Sequence, residues 1–166
     1  MLLKGKKIVL GVTGGIAVYK AVDLVSRLRK QGAEVRVVMT EHARQFVTPL
    51  TFKEISGNAV ATSMWNSNQE FNVEHIALAN WADVFVVAPA TANIIAKMAH
   101  GLADDLLSTT LLAAQAPIIV CPAMNTGMYE NALTQENITC LKEHGVTMMA
   151  PATGFLACGT SGAGRL

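Results

Sequence analysis

The chain has 166 residues, of which 51% are hydrophobic and 15% are charged, and its net charge is +1. This composition is typical of one folded domain and excludes a disordered chain. The near-zero charge gives no reason to expect nucleic acid or an anionic membrane as a partner. No apolar run reaches the roughly 18 residues of a membrane span, and the start does not resemble a signal peptide, so we expect a cytoplasmic protein. Its three cysteines, Cys121, Cys140 and Cys158, lack CxxC spacing, so we expect neither a disulfide framework nor a bound metal.

Short apolar runs alternate with segments of helical periodicity along the chain. Gly32, for example, provides a stop signal after the first amphipathic segment. The predicted strands are 7–12, 34–39, 84–90, 117–123 and 146–151, with a weak one at 59–65. The predicted helices are 16–31, 48–56, 73–82, 91–101, 103–115 and 132–145.

This alternation predicts an α/β fold, a three-layer doubly wound parallel sheet of the Rossmann or flavodoxin-like kind, in one domain over residues 1–166. Ligands of such sheets bind beyond the carboxyl ends of the strands. The segments that follow the predicted strands are therefore the candidate binding loops, namely 11–16, 39–42, 88–93, 121–128 and 151–165.

The first of these loops, "GVTGGIA", places Gly14 and Gly15 before a helix. Glycines and free N–H groups at a helix start suit a phosphate. Thr13 stands where the GxGxxG fingerprint has its second glycine, and the P-loop ending is missing, so a single phosphate fits better than a pyrophosphate. The second strand is followed by Thr40 rather than by an acidic residue that would hold a ribose. A tight turn that needs glycine is the alternative.

Two further loops carry polar side chains. In "APATAN", Thr91 can cap the next helix and Asn93 can face a polar ring, although a plain capped helix explains the pattern equally well. In "PAMNTGMYEN", Asn125 can bind a carboxylate through its NH₂ group, with Met124 and Met128 as the floor of a pocket. The alternative is an asparagine that only caps a turn.

The last 13 residues, 154–166, hold four glycines around Cys158, and we expect this stretch to be too glycine-rich to pack. Its thiol is a candidate reactive group in a mobile loop, whereas Cys121 and Cys140 are predicted to be small core residues. His75 lies near a helix start, a position more typical of a structural histidine when taken alone.

Together these segments resemble the flavin-dependent cysteine decarboxylases. The resemblance spans nearly the whole chain and is carried by "GVTGGIAVYK", "EHIALA", "APATANIIAKMAHGLADDLL" and "PAMNTGMYEN". The P-x-M-N-x-x-M-W pattern of the family matches at Pro122, Met124, Asn125 and Met128, with Tyr129 in place of the tryptophan. The stretch 154–166 resembles the substrate-recognition flap of the family.

The resemblance implies FMN as the cofactor and assigns roles to residues. His75 would be the catalytic base, Asn125 would hold the substrate carboxylate, and Cys158 would take part in a reductive half-reaction. The FMN-binding residues would be Gly14, Gly15, Ile16 and Thr40 around the phosphate, and Thr91, Ala92, Asn93, Ile94 and Ala123 around the flavin ring. The substrate-binding residues would be Met124, Asn125, Ala157, Cys158 and Gly159.

The implied reaction converts 4′-phospho-N-pantothenoylcysteine to 4′-phosphopantetheine in coenzyme A biosynthesis. FMN oxidises the substrate thiol to a thioaldehyde, CO₂ leaves, and the resulting enethiol is reduced. The resemblance also implies a homotrimer, or a dodecamer of trimers, and a fused phosphopantothenate–cysteine ligase domain beyond residue 166.

Other functions remain open at this point. A peptidyl-cysteine decarboxylase of the same family would keep His75 and the P-x-M-N pattern, whereas a flavin prenyltransferase usually lacks that pattern. A nicotinamide-dependent dehydrogenase is disfavoured because GxGxxG is missing. A non-catalytic flavin-binding regulatory subunit is disfavoured because His75, Asn125 and Cys158 are all present.

Overall fold

The computed structural model describes residues 1–65, 74–159 and 161–166. Their central feature is a five-stranded sheet with the order β2-β1-β3-β4-β5, and every pairing in it is parallel. This order is that of the flavodoxin-like doubly wound sheet, which confirms the predicted fold class. The strands are β1 Lys7–Val12, β2 Glu34–Met39, β3 Val84–Ala90, β4 Ile118–Pro122 and β5 Thr147–Met148. The helices are α1 Val18–Lys30, α2 Pro49–Ser56, α3 Glu74–Trp81, α4 Ala92–His100, α5 Leu106–Ala113, α6 Thr126–Glu130 and α7 Ala132–Glu143, with a 3₁₀ turn at Ala43–Gln45.

The buried residues form a hydrophobic core on each face of the sheet. Successive residues of β1 point to opposite faces, so Val9 belongs to one cluster and its neighbours Ile8 and Leu10 to the other. The Val9 side is covered by α3, α4, α5 and α7, and the Leu10 side by α1 and α2. Helices on both faces make the strands apolar throughout, which is the pattern that the sequence showed.

Helix ends follow the local chemistry of the chain. Thr91 caps α4 by accepting a hydrogen bond from the Ile94 N–H at 3.3 Å, as predicted. Asp105 and Ser108 form a reciprocal capping box at the start of α5. Gly101 ends α4 in the left-handed conformation, with φ +66° and open space where a side chain would lie. No helix among the described residues is long and apolar enough to span a membrane.

Some predicted boundaries were wrong. Helix α1 begins at Val18 because the chain is still in a turn at residues 16 and 17. The predicted strand at 59–65 is reduced to one bridge between Ala61 and Val38, and the last strand of the sheet to residues 147–148. Helix α6 was not predicted at all. Residue 73, where a helix was predicted to start, lies outside the described residues.

The glycine-rich end of the chain is a two-stranded antiparallel hairpin, with β6 at Ala152–Phe155 and β7 at Ser161–Arg165. The expectation that this stretch cannot pack was therefore wrong. Its glycines allow close packing: a Cβ on Gly164 would collide with the Met124 carbonyl oxygen, and one on Gly162 with the Thr126 side chain. Hydrogen bonds hold the contact, from Met124 N–H to the Gly164 oxygen at 2.9 Å and from Thr126 Oγ1 to the Ala163 oxygen at 2.8 Å.

Candidate functional site

The loops after β1 and β3 are fastened together by Thr13. Its hydroxyl is buried, donates a hydrogen bond to the Pro89 carbonyl at 2.6 Å and accepts one from the Thr91 N–H at 3.0 Å. The residue that breaks the dinucleotide fingerprint is thus a cross-link between adjacent loops at the carboxyl edge of the sheet. Sequence analysis recorded its position but missed this role, because the partners are 76 and 78 residues away.

The loop after β1 presents backbone donors to one side. Among the described residues, the N–H groups of Gly14, Gly15 and Ile16 have no hydrogen-bond acceptor. Gly14 is required sterically, because a Cβ there would lie 2.5 Å from the Cβ of His42. Unpaired N–H groups ahead of the 13-residue helix α1 suit an anion, and phosphate binding at this turn stays a prediction.

A first cavity of about 510 Å³ opens beside this loop, between α1, the loop after β4 and the hairpin. Most of its walls are apolar, and it brings together residues that are far apart in the chain. The predicted site residues that line it are Gly14, Gly15, Ile16, Thr91, Ala92, Ala123, Met124, Asn125, Ala157 and Cys158.

A second cavity of about 680 Å³ lies on the other side of Gly14 and is lined by the predicted residues Thr40, Asn93 and Ile94. One wall of this second cavity was not predicted from the sequence, because it contains no motif. It consists of the residues that follow the bridge to β2, namely Thr62, Ser63, Met64 and Trp65. The two cavities share Gly14, Thr91, Ala92 and Met128. Together they bring all the predicted cofactor-binding residues to one edge of the sheet.

Asn125 and Cys158 meet at the first cavity. Asn125 Oδ1 accepts a hydrogen bond from the Gly127 N–H at 2.8 Å, which caps α6, and its Nδ2 donates to Cys158 Sγ at 3.8 Å. The capping alternative is therefore confirmed, since the amide oxygen caps a helix, whereas carboxylate binding by the NH₂ group stays a prediction. Cys158 is exposed. Cys121 is partly buried, and this burial raises the pKa of the Cys121 thiol.

His75 lies on α3, which packs against α5, and its side chain is partly buried. Within the described parts of the chain it lines neither cavity, and the same is true of Gly159. The adjacent Glu74 is also partly buried, and this burial raises the pKa of its carboxyl group. The structure thus assembles Asn125 and Cys158 in this chain but keeps His75 apart from them.

Two cations at the first cavity were not singled out from the sequence. Lys20, in the first turns of α1, donates a hydrogen bond from Nζ to the Leu166 carbonyl oxygen, and Arg165 lies on β7. Burial, and then the positive charge of Arg165, lowers the pKa of Lys20. Lys20 lies in the quoted stretch "GVTGGIAVYK", but only the fold brings it beside residue 165. No cluster of metal-ligating side chains occurs among the residues with described positions.

The fold and these loops define a flavodoxin-like protein with an anion-binding turn and a joined pair of cavities at the carboxyl edge of its sheet. The flavoprotein family model matches residues 2–166. The chain is 34% identical to the FMN-dependent cysteine decarboxylase SpaF, with a TM-score of 0.87 over 99% of this chain and 92% of that one. The chain therefore belongs to the flavoprotein family and, within it, to the FMN-dependent cysteine decarboxylases, which confirms the predicted family.

Other relatives agree. A PPC decarboxylase mutant complexed with pantothenoylaminoethenethiol is 33% identical, with a TM-score of 0.84 over 98% of this chain and 91% of that one. The coenzyme A biosynthesis bifunctional protein CoaBC of Haemophilus influenzae is 52% identical over all of this chain, and that of Escherichia coli is 51% identical. The chain spans 42% of the first and 41% of the second of these relatives.

Proposed function

We propose that this chain is an FMN-dependent decarboxylase that converts 4′-phospho-N-pantothenoylcysteine to 4′-phosphopantetheine in coenzyme A biosynthesis. The observation that carries the proposal is the meeting of Asn125 and Cys158, at 3.8 Å, in a cavity that also contains the anion-binding turn at Gly14–Ile16. The likeness to CoaBC proteins and to the PPC decarboxylase supports the choice of substrate.

The residues of the site fit FMN. The unpaired N–H groups of Gly14, Gly15 and Ile16 suit its phosphate. Hydroxyl and amide groups for the rest of the cofactor are provided by Thr40, Thr91 and Asn93 at the adjoining cavity. Bound FMN would accept the electron pair of the substrate thiol, which creates the thiocarbonyl that decarboxylation needs.

The side chains of this protein act on the substrate itself. Asn125 Nδ2 binds the carboxylate and fixes its orientation, since its oxygen is already held by Gly127. The apolar walls, which include Met124 and Met128, exclude water from the carboxylate and thereby favour its loss as neutral CO₂. Cys158, beside Asn125, delivers the proton that the enethiol carbon takes up as the electron pair returns. The hairpin that carries this thiol is the recognition flap.

His75 is the base in this proposal, and it must reach a cavity that it does not line in its own chain. A second copy that brings α3 to the first cavity would meet this need, so we include a homotrimer, and its further assembly into a dodecamer, in the proposal. Ile76, next to His75, has 44% of its surface exposed, and Leu112 and Leu133 are exposed as well, which is the apolar surface that such an assembly would cover.

A fused ligase domain and a cytoplasmic location complete the proposal. Support for the ligase comes from the bifunctional relatives, of which this chain spans 42% or less. The second candidate function is decarboxylation of a peptide with a C-terminal cysteine, for which His75 and the P-x-M-N pattern would serve equally well. Supplying each substrate in turn and measuring CO₂ distinguishes the two.

The function is tested by incubating the purified protein with phosphopantothenoylcysteine while CO₂, product mass and flavin absorbance near ~450 nm are followed. The wild type should release CO₂ and make phosphopantetheine. His75→Ala and Asn125→Ala should keep FMN but release no CO₂. Cys158→Ala should accumulate an enethiol lighter than the product by two hydrogen atoms. A colourless protein that cannot be reconstituted with FMN would refute the proposal.

Matched controls separate these roles from loss of structure. Asn131 caps α7 by accepting a hydrogen bond from the Leu133 N–H at 2.9 Å, so Asn131→Ala loses a helix cap without changing the cavity. The second control is His100→Ala, because His100 is an exposed histidine that is hydrogen-bonded to Asn137 and lies outside both cavities. Both control variants should decarboxylate as the wild type does.

A further inference from the structure

The first cavity has a cationic end that the proposed chemistry does not use. Lys20 on α1 and Arg165 on β7 both line it, together with Asn125 and Cys158. Lys20 is tied to the Leu166 carbonyl through one of its N–H groups, which leaves it further donors for a ligand. Arg165 lies over Gly154 of the opposite strand, where the absence of a side chain leaves room for the guanidinium. The two charges thus come from different elements and converge on the same cavity.

Within the part of the chain that the structure describes, neither Lys20 nor Arg165 forms an ion pair with a carboxylate side chain. Among residues 1–65, 74–159 and 161–166, the ion pairs are Arg27–Asp23 and Lys97–Asp104. Burial, and then the positive charge of Arg165, lowers the pKa of Lys20, so the two groups lie close enough for their charges to interact. Two like charges at one cavity, one of them on the partly buried Lys20, with no carboxylate partner among the described residues, are the arrangement expected of a binding site for an anion.

We propose that Lys20 and Arg165 bind the phosphate of the substrate and select phosphorylated over unphosphorylated substrates; this rests on the proposed function. A phosphate monoester carries a charge of about −1.5 to −2 at neutral pH, which matches the pair of cations. Arg165 can bind two phosphate oxygens at once through its planar guanidinium, and Lys20 adds a point charge.

This assignment couples substrate recognition to the hairpin. Arg165 pairs with Ala152 across the strands, and the same hairpin carries Cys158 between β6 and β7. A phosphate bridging Lys20 and Arg165 joins α1 to the hairpin, so the phosphorylated substrate itself holds the Cys158 thiol at the cavity. A peptide ending in cysteine lacks this group, which is why the pair discriminates between the candidate substrates.

The rival assignment gives these cations to the phosphate of FMN. The turn at Gly14–Ile16 already offers that phosphate its own N–H groups at the start of the same helix. The rival therefore predicts that loss of the cations weakens FMN binding, whereas our proposal predicts that FMN stays bound. Flavin absorbance of the purified variants decides between them.

The experiment compares kcat/KM for phosphopantothenoylcysteine and for pantothenoylcysteine in the wild type, Lys20→Met, Arg165→Met and the double variant. Methionine keeps an unbranched, flexible stem and removes the charge. We expect the preference for the phosphorylated substrate to fall by about tenfold for each cation and by about 100-fold in the double variant. The preference of the wild type should also decrease as salt is raised. Lys30→Met, at the exposed end of the same helix, is the control and should keep the full preference.

Binding of phosphopantetheine and pantetheine, measured by calorimetry, separates failure of this proposal from failure of the proposed function. One outcome is that the wild type releases no CO₂ and yet binds phosphopantetheine more tightly than pantetheine, with this preference lost when Lys20 and Arg165 are replaced. In that case the phosphate site stands and the decarboxylase assignment does not. An unchanged phosphate preference in the double variant, a wild type without any preference, or loss of FMN from the variants overturns the phosphate site.

Discussion

Gly164→Ala should detach the hairpin from the loop that carries Asn125. Gly164 has φ +121°, a conformation that residues with a side chain rarely adopt, and its Cβ would occupy the position of the Met124 carbonyl oxygen. The backbone cannot relieve this collision without breaking the hydrogen bond from the Met124 N–H to the Gly164 oxygen, now 2.9 Å long.

The size of the effect follows from these terms. The backbone strain costs about 1–3 kcal/mol and the lost hydrogen bond about 1 kcal/mol. A total of about 2–4 kcal/mol raises the undocked fraction of the hairpin by roughly 30- to 1,000-fold, at about 1.4 kcal/mol for each factor of ten. Because undocking separates Cys158 from Asn125, we expect kcat/KM to fall in proportion to the loss of the docked fraction.

Hydrogen exchange at the Met124 amide measures the docking directly, and kcat/KM and flavin absorbance are recorded on the same preparation. Exchange should accelerate by the factor given above while FMN is retained, since Gly164 lies on the hairpin and not on the loop after β1. Gly101→Ala is the control, because it has φ +66° but open space for its Cβ. Normal exchange at Met124 and normal turnover in Gly164→Ala would refute the conclusion that close packing explains the glycines.

Thr13→Val should lower the free energy of unfolding by about 1–3 kcal/mol, because it leaves the Thr91 N–H without its acceptor. The control is Thr110→Val, whose hydroxyl bonds to a carbonyl of its own helix, and calorimetry should show a larger loss of stability for Thr13→Val. Equal losses in the two variants would count against the cross-link. Burial raises the pKa of Glu74 above its ordinary 4.5, so its contribution to stability is present below that value and lost as pH rises through the raised pKa. Glu74→Gln should therefore raise Tm at neutral pH but not near pH 4, and a Tm gain that is independent of pH, or equal to that of Glu136→Gln on α7, would contradict this.

The order of elements was predictable because it depends on patterns that are local in the chain. Continuous apolar runs such as 84–90 occur where a strand is covered on both faces. The capping residues of the flanking helices, such as Thr91, can also be recognised in the sequence. The short helix α6 was not predicted, because five residues are too few to show a helical periodicity. For its capping residue Asn125, the sequence left open whether the side chain binds a carboxylate or caps a turn.

The cavities followed from the rule that loops gather at the carboxyl edge of a parallel sheet. That rule placed Gly14, Thr40, Thr91 and Asn125 together, and the structure agrees. The rule does not predict that Lys20 lines the first cavity, because Lys20 lies inside a helix. It also does not predict the wall of the second cavity around Trp65.

The residue types along the chain were sufficient for the succession of strands and helices, the binding edge and the family, since each depends on patterns that are local in the chain. Tertiary structure alone decided that the terminal glycines pack instead of moving, that Thr13 links two loops, and that Lys20 meets Arg165. The hydrogen bonds at these contacts join residues from 37 to 146 positions apart, and their energies depend on distances that exist only once the sheet has formed.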